Sequence, residues 1–279
     1  MSTFVNKGYQ DLTNVAKQYQ VTYTQAAPFS NIYFNDFFDP DMLEQVLAEF
    51  PDLSTQHAIK YDNPKEKKLN GKGESPFGPA TKSFMHFLNS QPFLEFIQEL
   101  TGIKEILIGD PYFIGAGLHE IKKGGLLKIH ADFNRHPTTN LDRRVNVLVY
   151  LNKDWKEEYG GHFELWDTNM ERCEKKILPL FNTLAIFSTT DFSYHGHPNP
   201  LNCPDDRSRK SLALYYYSNG RPQEEVNSGL EDHSTLFKER KGNVEDMQAF
   251  VEPKRSSARE LVKDLIPPIF VKAYRKLSK

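Results

Sequence analysis

A chain of 279 residues has room for one catalytic domain with extensions or for two small domains, and 38% hydrophobic with 13% aromatic residues is enough for an ordinary core, which excludes wholesale disorder. The formal net charge is −2, from 35 Lys and Arg against 37 Asp and Glu, so a dedicated nucleic-acid binder is excluded and no nucleic-acid partner is expected. Two cysteines, Cys173 and Cys203, exclude a disulfide framework and a cysteine-rich zinc site.

The first 25 residues are polar and predict irregular or weakly helical structure. Residues 1–10 hold no apolar run flanked by positive charge, so no signal peptide is expected. Residues 31–38 read as a short strand running into a turn. Asp39 can cap a helix that Pro40 opens, and Met42, Leu43, Val46, Leu47 and Phe50 then form one apolar stripe that Pro51 ends. Residues 54–79, rich in Lys, Asn, Gly and Pro, predict a mobile loop, with the Lys-rich stretch 65–68 solvated. Two helical patterns follow. One carries Phe84, Phe87 and Leu88. The other starts at Ser90, carries Phe93, Phe96, Ile97 and Leu100, and stops at Gly102.

From residue 103 to 217 the period changes to short apolar or alternating runs, at 112–114, 126–129, 145–151, 162–166, 184–187 and 211–217. Residues 145–151 are apolar on both faces apart from Asn146 and Tyr150, as a central strand buried on both sides would be. The spacing predicts an all-β sandwich or jelly roll. After Gly220 the chain is polar again, with one more helix expected at 258–266 and a basic tail at 270–279 whose charges are solvated. The expected organisation is a lead-in at 1–102, a core at 103–220 and an extension at 221–279. No window approaches the roughly 18 apolar residues of a membrane span, so no integral membrane segment is expected. A soluble cytoplasmic protein in a reducing compartment follows from these features.

The chemistry centres on His130-Ala131-Asp132. Residues two apart in a strand share a face, so His130 and Asp132 can grip one ion. Two imidazoles and one carboxylate on one side of an octahedral ion form the facial triad of non-haem iron(II), which leaves other positions open. His195 and His197 compete for the third ligand. His195 is favoured because it follows Tyr194 at the end of a strand-like run, whereas His197 precedes Pro198. Arg209 is the candidate anchor for a remote carboxylate, because a guanidinium holds one with two parallel hydrogen bonds. Ser211, two residues on, shares its face, and Tyr150 offers a phenol. His57, His86, His136 and His233 read as surface residues, Trp155 and Trp166 as packing, and Arg143 and Arg144 as facing either the site mouth or solvent.

These residues, together with the ordered blocks 149–155, 160–165, 183–187, 194–195 and 209–215, resemble the prolyl 4-hydroxylase-like branch of the iron(II)/2-oxoglutarate oxygenases. The resemblance spans about 115–218. It implies a mainly β fold with flanking helices (α+β), built on a double-stranded β-helix of the cupin-like jelly-roll kind. It implies that His130, Asp132 and His195 bind Fe(II), that Arg209 binds 2-oxoglutarate, and that Tyr150 and Ser211 assist. Dioxygen would be co-substrate and ascorbate an auxiliary reductant. The implied activity is that of a dioxygenase hydroxylating an unactivated C–H bond, with release of succinate and CO2. A prolyl residue in a peptide or protein is the default substrate, and a free amino acid or biosynthetic intermediate the alternative. A tyrosine often placed ahead of the first histidine is missing, since the chain reads Leu118-His119-Glu120-Ile121 there. The loops 54–79 and 199–206 are expected to frame the substrate entrance. A non-catalytic metal-binding module of the same fold is the reading from another class, and the pairing of Arg209 with Ser211 argues against it. The absence of a helix-borne H-E-x-x-H argues against a zinc hydrolase.

Overall fold

The computed structural model describes residues 4–55, 58–222 and 232–250. The helix expected at 258–266, the basic tail and His57 lie outside the described residues. Both cysteines are free, and no helix among the described residues is long and apolar enough to cross a membrane.

The N-terminal part is a helical layer around one strand. The first helix, α1 (Leu12–Thr24), is capped by Asp11 and buries Val15, Ala16 and Tyr23. It is better formed than its polar composition suggests, because these few residues pack against the helix that follows later in the chain. Strand β1 (Asn31–Asn35) leads into α2 (Pro40–Ala48), where the Asp39 side chain accepts from the Met42 amide at 3.0 Å. Helices α3 (Pro79–Leu88) and α4 (Gln91–Thr101) follow, and α4 ends at Gly102 in the left-handed conformation, φ 68°. Phe93, Phe96, Ile97 and Leu100 of α4 are buried, each stabilising the layer by about 1.5–3 kcal/mol.

Between α2 and α3 the expected loop is a hairpin, β2 (Ala58–Asn63) paired antiparallel with β3 (Glu66–Gly71). Its outer strand is mostly exposed and carries few apolar residues, so the period-2 signal is lost in a Lys-rich stretch. The loop reading of 65–68 is likewise corrected, although Lys67 stays exposed. Glu66, Lys67 and Lys68 lie in β3, which bridges two strands of the barrel.

Ten strands in one antiparallel path form a nearly closed barrel, the double-stranded β-helix. Its remaining members are β4 (Gly117–Lys122), β5 (Leu126–Ala131), β6 (Asp142–Tyr150), β7 (Phe163–Trp166), β8 (Cys173–Ile177), β9 (Thr183–Ser188), β10 (His195–His197) and β11 (Ser208–Ser218). The strand expected at 112–114 is instead a pair of turns, with Phe113 at φ 50°. Strands β4 and β8 were not legible, β8 because CEKKI alternates charge with weakly apolar residues.

Strand β6 runs between β9 and β11, as its two-sided burial predicts. Val145, Val147 and Val149 join the core formed with the helices. Alternation turns Asn146, Leu148 and Tyr150 to the barrel interior. One bulge changes this pattern. Tyr216 pairs with Val145 but Tyr217 with Arg143, which makes Arg144 the extra residue of the bulge. Arg143 is thereby aimed into the barrel.

After residue 231 a short strand, β12 (Leu236–Phe237), pairs with β5, and a short helix of seven residues, α5 (Val244–Phe250), follows. The polarity of this stretch hides both elements. Its tie to the barrel is ionic, as Asp246 receives Lys128 Nζ at 2.7 Å and Arg240 Nε at 2.7 Å.

Candidate metal centre

His130 lies near the end of β5, Asp132 just beyond it, and His195 opens β10 directly opposite His130. Their donor atoms all lie within 4.8 Å of one another, and this is the one such cluster among the described residues. His130 Nε2 stands 3.5 Å from Asp132 Oδ1, and His195 Nε2 stands 3.3 Å from Oδ2. Each imidazole is oriented in the same way. His130 Nδ1 is 2.9 Å from the Lys128 carbonyl, and His195 Nδ1 is 2.8 Å from the Ser193 carbonyl. A carbonyl only accepts, so Nδ1 carries the proton and the Nε2 lone pair faces Asp132. Burial lowers the pKa of His130, with the neighbouring His195 adding to the effect. Burial alone would raise the Asp132 carboxyl, but the neighbouring Arg143 guanidinium holds it well below the usual range. The donors are therefore two imidazoles and a carboxylate, the set that suits iron(II).

The approach of β10 to β5 explains the residue between the two histidines. A Cβ on Gly196 would lie 2.7 Å from the Leu127 carbonyl oxygen and 2.9 Å from that of Lys128. His197 points into the same cavity, buried, but stands outside the three-residue cluster. Arg209 on β11 also enters this cavity and is 6% exposed. Its Nε donates to the Gly161 carbonyl at 2.8 Å and its Nη2 to Tyr150 Oη at 3.2 Å. Gly161, at φ 74°, is the only fit there, since a Cβ would sit 3.0 Å from Arg209 Cδ. Ser211 lines the cavity two residues on from Arg209. His130, Asp132, His195, Arg209 and Ser211 thus line one cavity, walled by Leu148, Phe163 and Phe187, and Tyr150 is tied to it through Arg209.

A family model described as the 2OG-Fe(II) oxygenase superfamily matches residues 116–217, the segment that holds every one of these side chains. Residues 116–217 therefore form a 2OG-Fe(II) oxygenase domain. Among curated proteins, it is similar to prolyl 3-hydroxylase OGFOD1 of Mus musculus, 28% identical over 79 residues. That similarity covers 27% of this chain and 14% of the mouse protein. Among solved structures, a prolyl hydroxylase from Trichoplax adhaerens, in complex with a peptide fragment of the hypoxia inducible factor oxygen degradation domain, superposes with a TM-score of 0.57 at 18% identity. It covers 80% of this chain and 96% of that one. A Pseudomonas putida prolyl-4-hydroxylase superposes with a TM-score of 0.54 at 16% identity, covering 75% and 100%. At such identities the two structures speak for a shared fold.

The cavity also contains residues to which the sequence gave no definite role. Arg143, read there as facing either the mouth or solvent, is 1% exposed, with Nη2 3.1 Å from Asp132 Oδ2. Asn146 donates to the same oxygen at 2.6 Å. A signal for Asn146 existed, because a polar residue in a strand buried on both faces needs a partner. Arg143 gave none, since its orientation depends on the bulge. Lys68 reaches the cavity from β3, and His119 lines it with Nε2 3.0 Å from the Gly115 carbonyl. Burial pushes the His119 pKa down to about 3, which keeps its ring neutral. Two surface assignments also change. His136 is 2% exposed, its Nδ1 accepting from the Thr138 and Thr139 amides at 3.1 Å. His233 is largely covered, with Nε2 2.7 Å from Asp191. Each supplies a hydrogen-bonding partner to a loop that would otherwise bury unpaired groups.

Proposed function

We propose that His130, Asp132 and His195 hold iron(II) and that Arg209 with Tyr150 binds the remote carboxylate of 2-oxoglutarate, in a dioxygenase that hydroxylates an unactivated C–H bond. The supporting observation is a buried guanidinium in the same cavity as a His-Asp-His cluster. A site that only stored metal would have no use for such a cation, whose burial costs free energy unless an anion arrives. Iron(II), with 2-oxoglutarate and dioxygen, supplies an oxidant that hydroxylates substrate while succinate and CO2 are released. The protein's own part is positional. The Lys128 and Ser193 carbonyls fix both imidazoles, Arg209 presents its fork beside the Tyr150 hydroxyl, and Ser211 adds a hydroxyl on the same face. Phe163, Phe187 and Leu148 exclude water from the reacting volume.

A prolyl residue of a peptide is the proposed target. The mouse relative is named a prolyl 3-hydroxylase, and the Trichoplax neighbour is seen with a peptide fragment. A cleft of about 300 Å³ between the β2–β3 hairpin and β4 shares Lys68 with the metal cavity and gives an extended substrate a route in. In this reading residues 103–220 are the catalytic unit, with 1–102 and 221–279 as its lead-in and extension. Two cysteines outside any disulfide suit a reducing, cytoplasmic setting.

The test is succinate formation from 2-oxoglutarate with iron(II) and ascorbate under air, without and with prolyl peptides or free amino acids. Iron-dependent succinate that disappears in His130→Ala and Arg209→Ala is the expected result. Stimulation by peptides would support the prolyl target, and stimulation by amino acids alone would replace it. Failure of the wild type to bind either iron(II) or 2-oxoglutarate would sink the reading.

A further inference from the structure

We infer that Asn146 sets how Asp132 meets the metal, so that only Oδ1 of the carboxylate is offered as a ligand. This rests on the His130–Asp132–His195 reading proposed above. Asn146 sits on β6, 2% exposed, and its own orientation leaves no freedom. Its side-chain oxygen accepts from Arg143 Nε at 2.8 Å and from Thr189 Oγ1 at 3.2 Å. The amide nitrogen must therefore be the atom facing Asp132, which it meets at 2.6 Å on Oδ2. A flipped amide would set oxygen against carboxylate and nitrogen against guanidinium.

The same Oδ2 faces the Arg143 guanidinium, whose Nη2 stands 3.1 Å away as an ion-pair partner without hydrogen-bond geometry. That guanidinium is held between two rings, 4.3 Å from the centroid of Phe133 and 3.4 Å from that of Tyr215. Oδ2 thus carries the Asn146 hydrogen bond and faces the Arg143 charge, and Oδ1 does neither. His195 Nε2, 3.3 Å away, carries no proton because Nδ1 holds it against the Ser193 carbonyl, so it does not compete as a donor. Oδ1 is left, on the side of His130. One oxygen per carboxylate is what the chemistry needs. A two-oxygen grip would consume a position that 2-oxoglutarate or dioxygen must take. Asn146 suits the task because it holds Oδ2 without adding charge beside a metal.

Asn146 is thus a positioning residue, and its signature lies in metal binding. The experiment titrates metal-free wild type, Asn146→Ala, Asn146→Asp and Thr189→Val with Mn(II) by calorimetry, beside thermal unfolding of the metal-free proteins. It also records the visible charge-transfer band of the anaerobic iron(II)–2-oxoglutarate complex. Asn146→Ala should weaken Mn(II) binding about tenfold or more and shift the band. Asn146→Asp should weaken it further, by placing carboxylate against carboxylate. Thr189→Val, which frees the amide to flip, should weaken it in the same direction by less. Mn(II) affinity and band unchanged in Asn146→Ala would overturn the assignment. If that variant does not fold, an unchanged affinity in Thr189→Val does so instead. Failure of the wild type to bind Mn(II) would remove the metal reading itself, which is a different outcome from wild-type binding that the variants leave untouched.

Discussion

Phe237 lies directly across from His130 in the pairing of β12 with β5, with ring centroids 5.6 Å apart. The segment after residue 231 therefore forms part of the wall behind a proposed iron ligand, and Asp246 is what fastens it. The Asp246 side chain is fully buried and receives both Lys128 Nζ and Arg240, the first at 3% and the second at 8% side-chain exposure. Asp246→Ala leaves two cations buried without their carboxylate. Such a change should cost about 3–5 kcal/mol, measured as a fall in the urea midpoint of the metal-free protein. Weaker metal binding should accompany it, because Lys128 also supplies the carbonyl that orients His130. A midpoint within experimental error of wild type would show that the segment is not fastened through this carboxylate.

The metal-free protein should lose stability as pH falls below the ordinary imidazole range. Burial lowers the pKa of His197 and of His130 below the usual 6.5. The unfolded chain takes up these protons near pH 6.5 while the folded chain does not, so the stabilisation is complete above that value and is lost on acidification. Each histidine contributes at most about 1.4 kcal/mol per pH unit within its window. The Asp132 carboxyl, held low, adds to the loss only below its ordinary value of 3.8. Unfolding free energies compared at pH 7 and pH 5 should therefore fall less steeply in His197→Gln than in wild type. Parallel slopes would mean that His197 is protonated in the folded protein.

The helices and the central strand were legible because their signals are local. Asp39, Pro40 and Gly102 mark helix ends through backbone chemistry alone, and the two-sided apolar run of β6 needs no partner to be recognised. His130 and Asp132 were legible as neighbours with a common face, and Arg209 with Ser211 for the same reason. The β2–β3 hairpin was not, because its stabilisation comes from pairing with β4 and β5 at positions far away in the chain. Arg143 depends on a bulge, which one strand's sequence does not encode without its neighbour. Asp246 belongs to a polar stretch whose value lies in a long-range ionic contact. That His195 stands opposite His130 and His197 opposite Leu127 is a matter of register, which the sequence of β10 alone does not encode.

Arg209 and Tyr150 should divide the binding of 2-oxoglutarate unequally. Arg209→Ala removes the cation and should abolish detectable binding to the Mn(II)-loaded protein. Arg209→Lys keeps the charge but loses the fork and the bond from Nε to the Gly161 carbonyl, so weakening by more than tenfold is expected. Tyr150→Phe deletes one hydroxyl beside the guanidinium, worth about 1.5 kcal/mol for a bond to a charged group, or roughly a tenfold loss. Calorimetric titration with 2-oxoglutarate reads all three. Binding unchanged in Arg209→Ala would mean that the carboxylate is held elsewhere, and Lys68 would be the next cation to substitute.

Gly196 offers the most selective way to separate the fold from the metal site. Its neighbours are backbone carbonyls of β5, at 2.7 and 2.9 Å from where a Cβ would stand, and backbone does not move aside as a flexible side chain would. Gly196→Ala must push β10 away from β5, and the two histidines that face each other across this pair are His130 and His195. The overpacking should cost about 1–3 kcal/mol of stability, small enough for the barrel to survive on its other nine strands' pairings. Metal binding should suffer more, because a shift of a few tenths of an ångström changes the distance between the two Nε2 donors directly. The paired control is His197→Ala, which removes a cavity-lining ring outside the cluster and should retain the metal. Metal content after anaerobic loading decides between them. Iron retained in Gly196→Ala and lost in His197→Ala would make His197 the third ligand, with β10 rotated from the register described here.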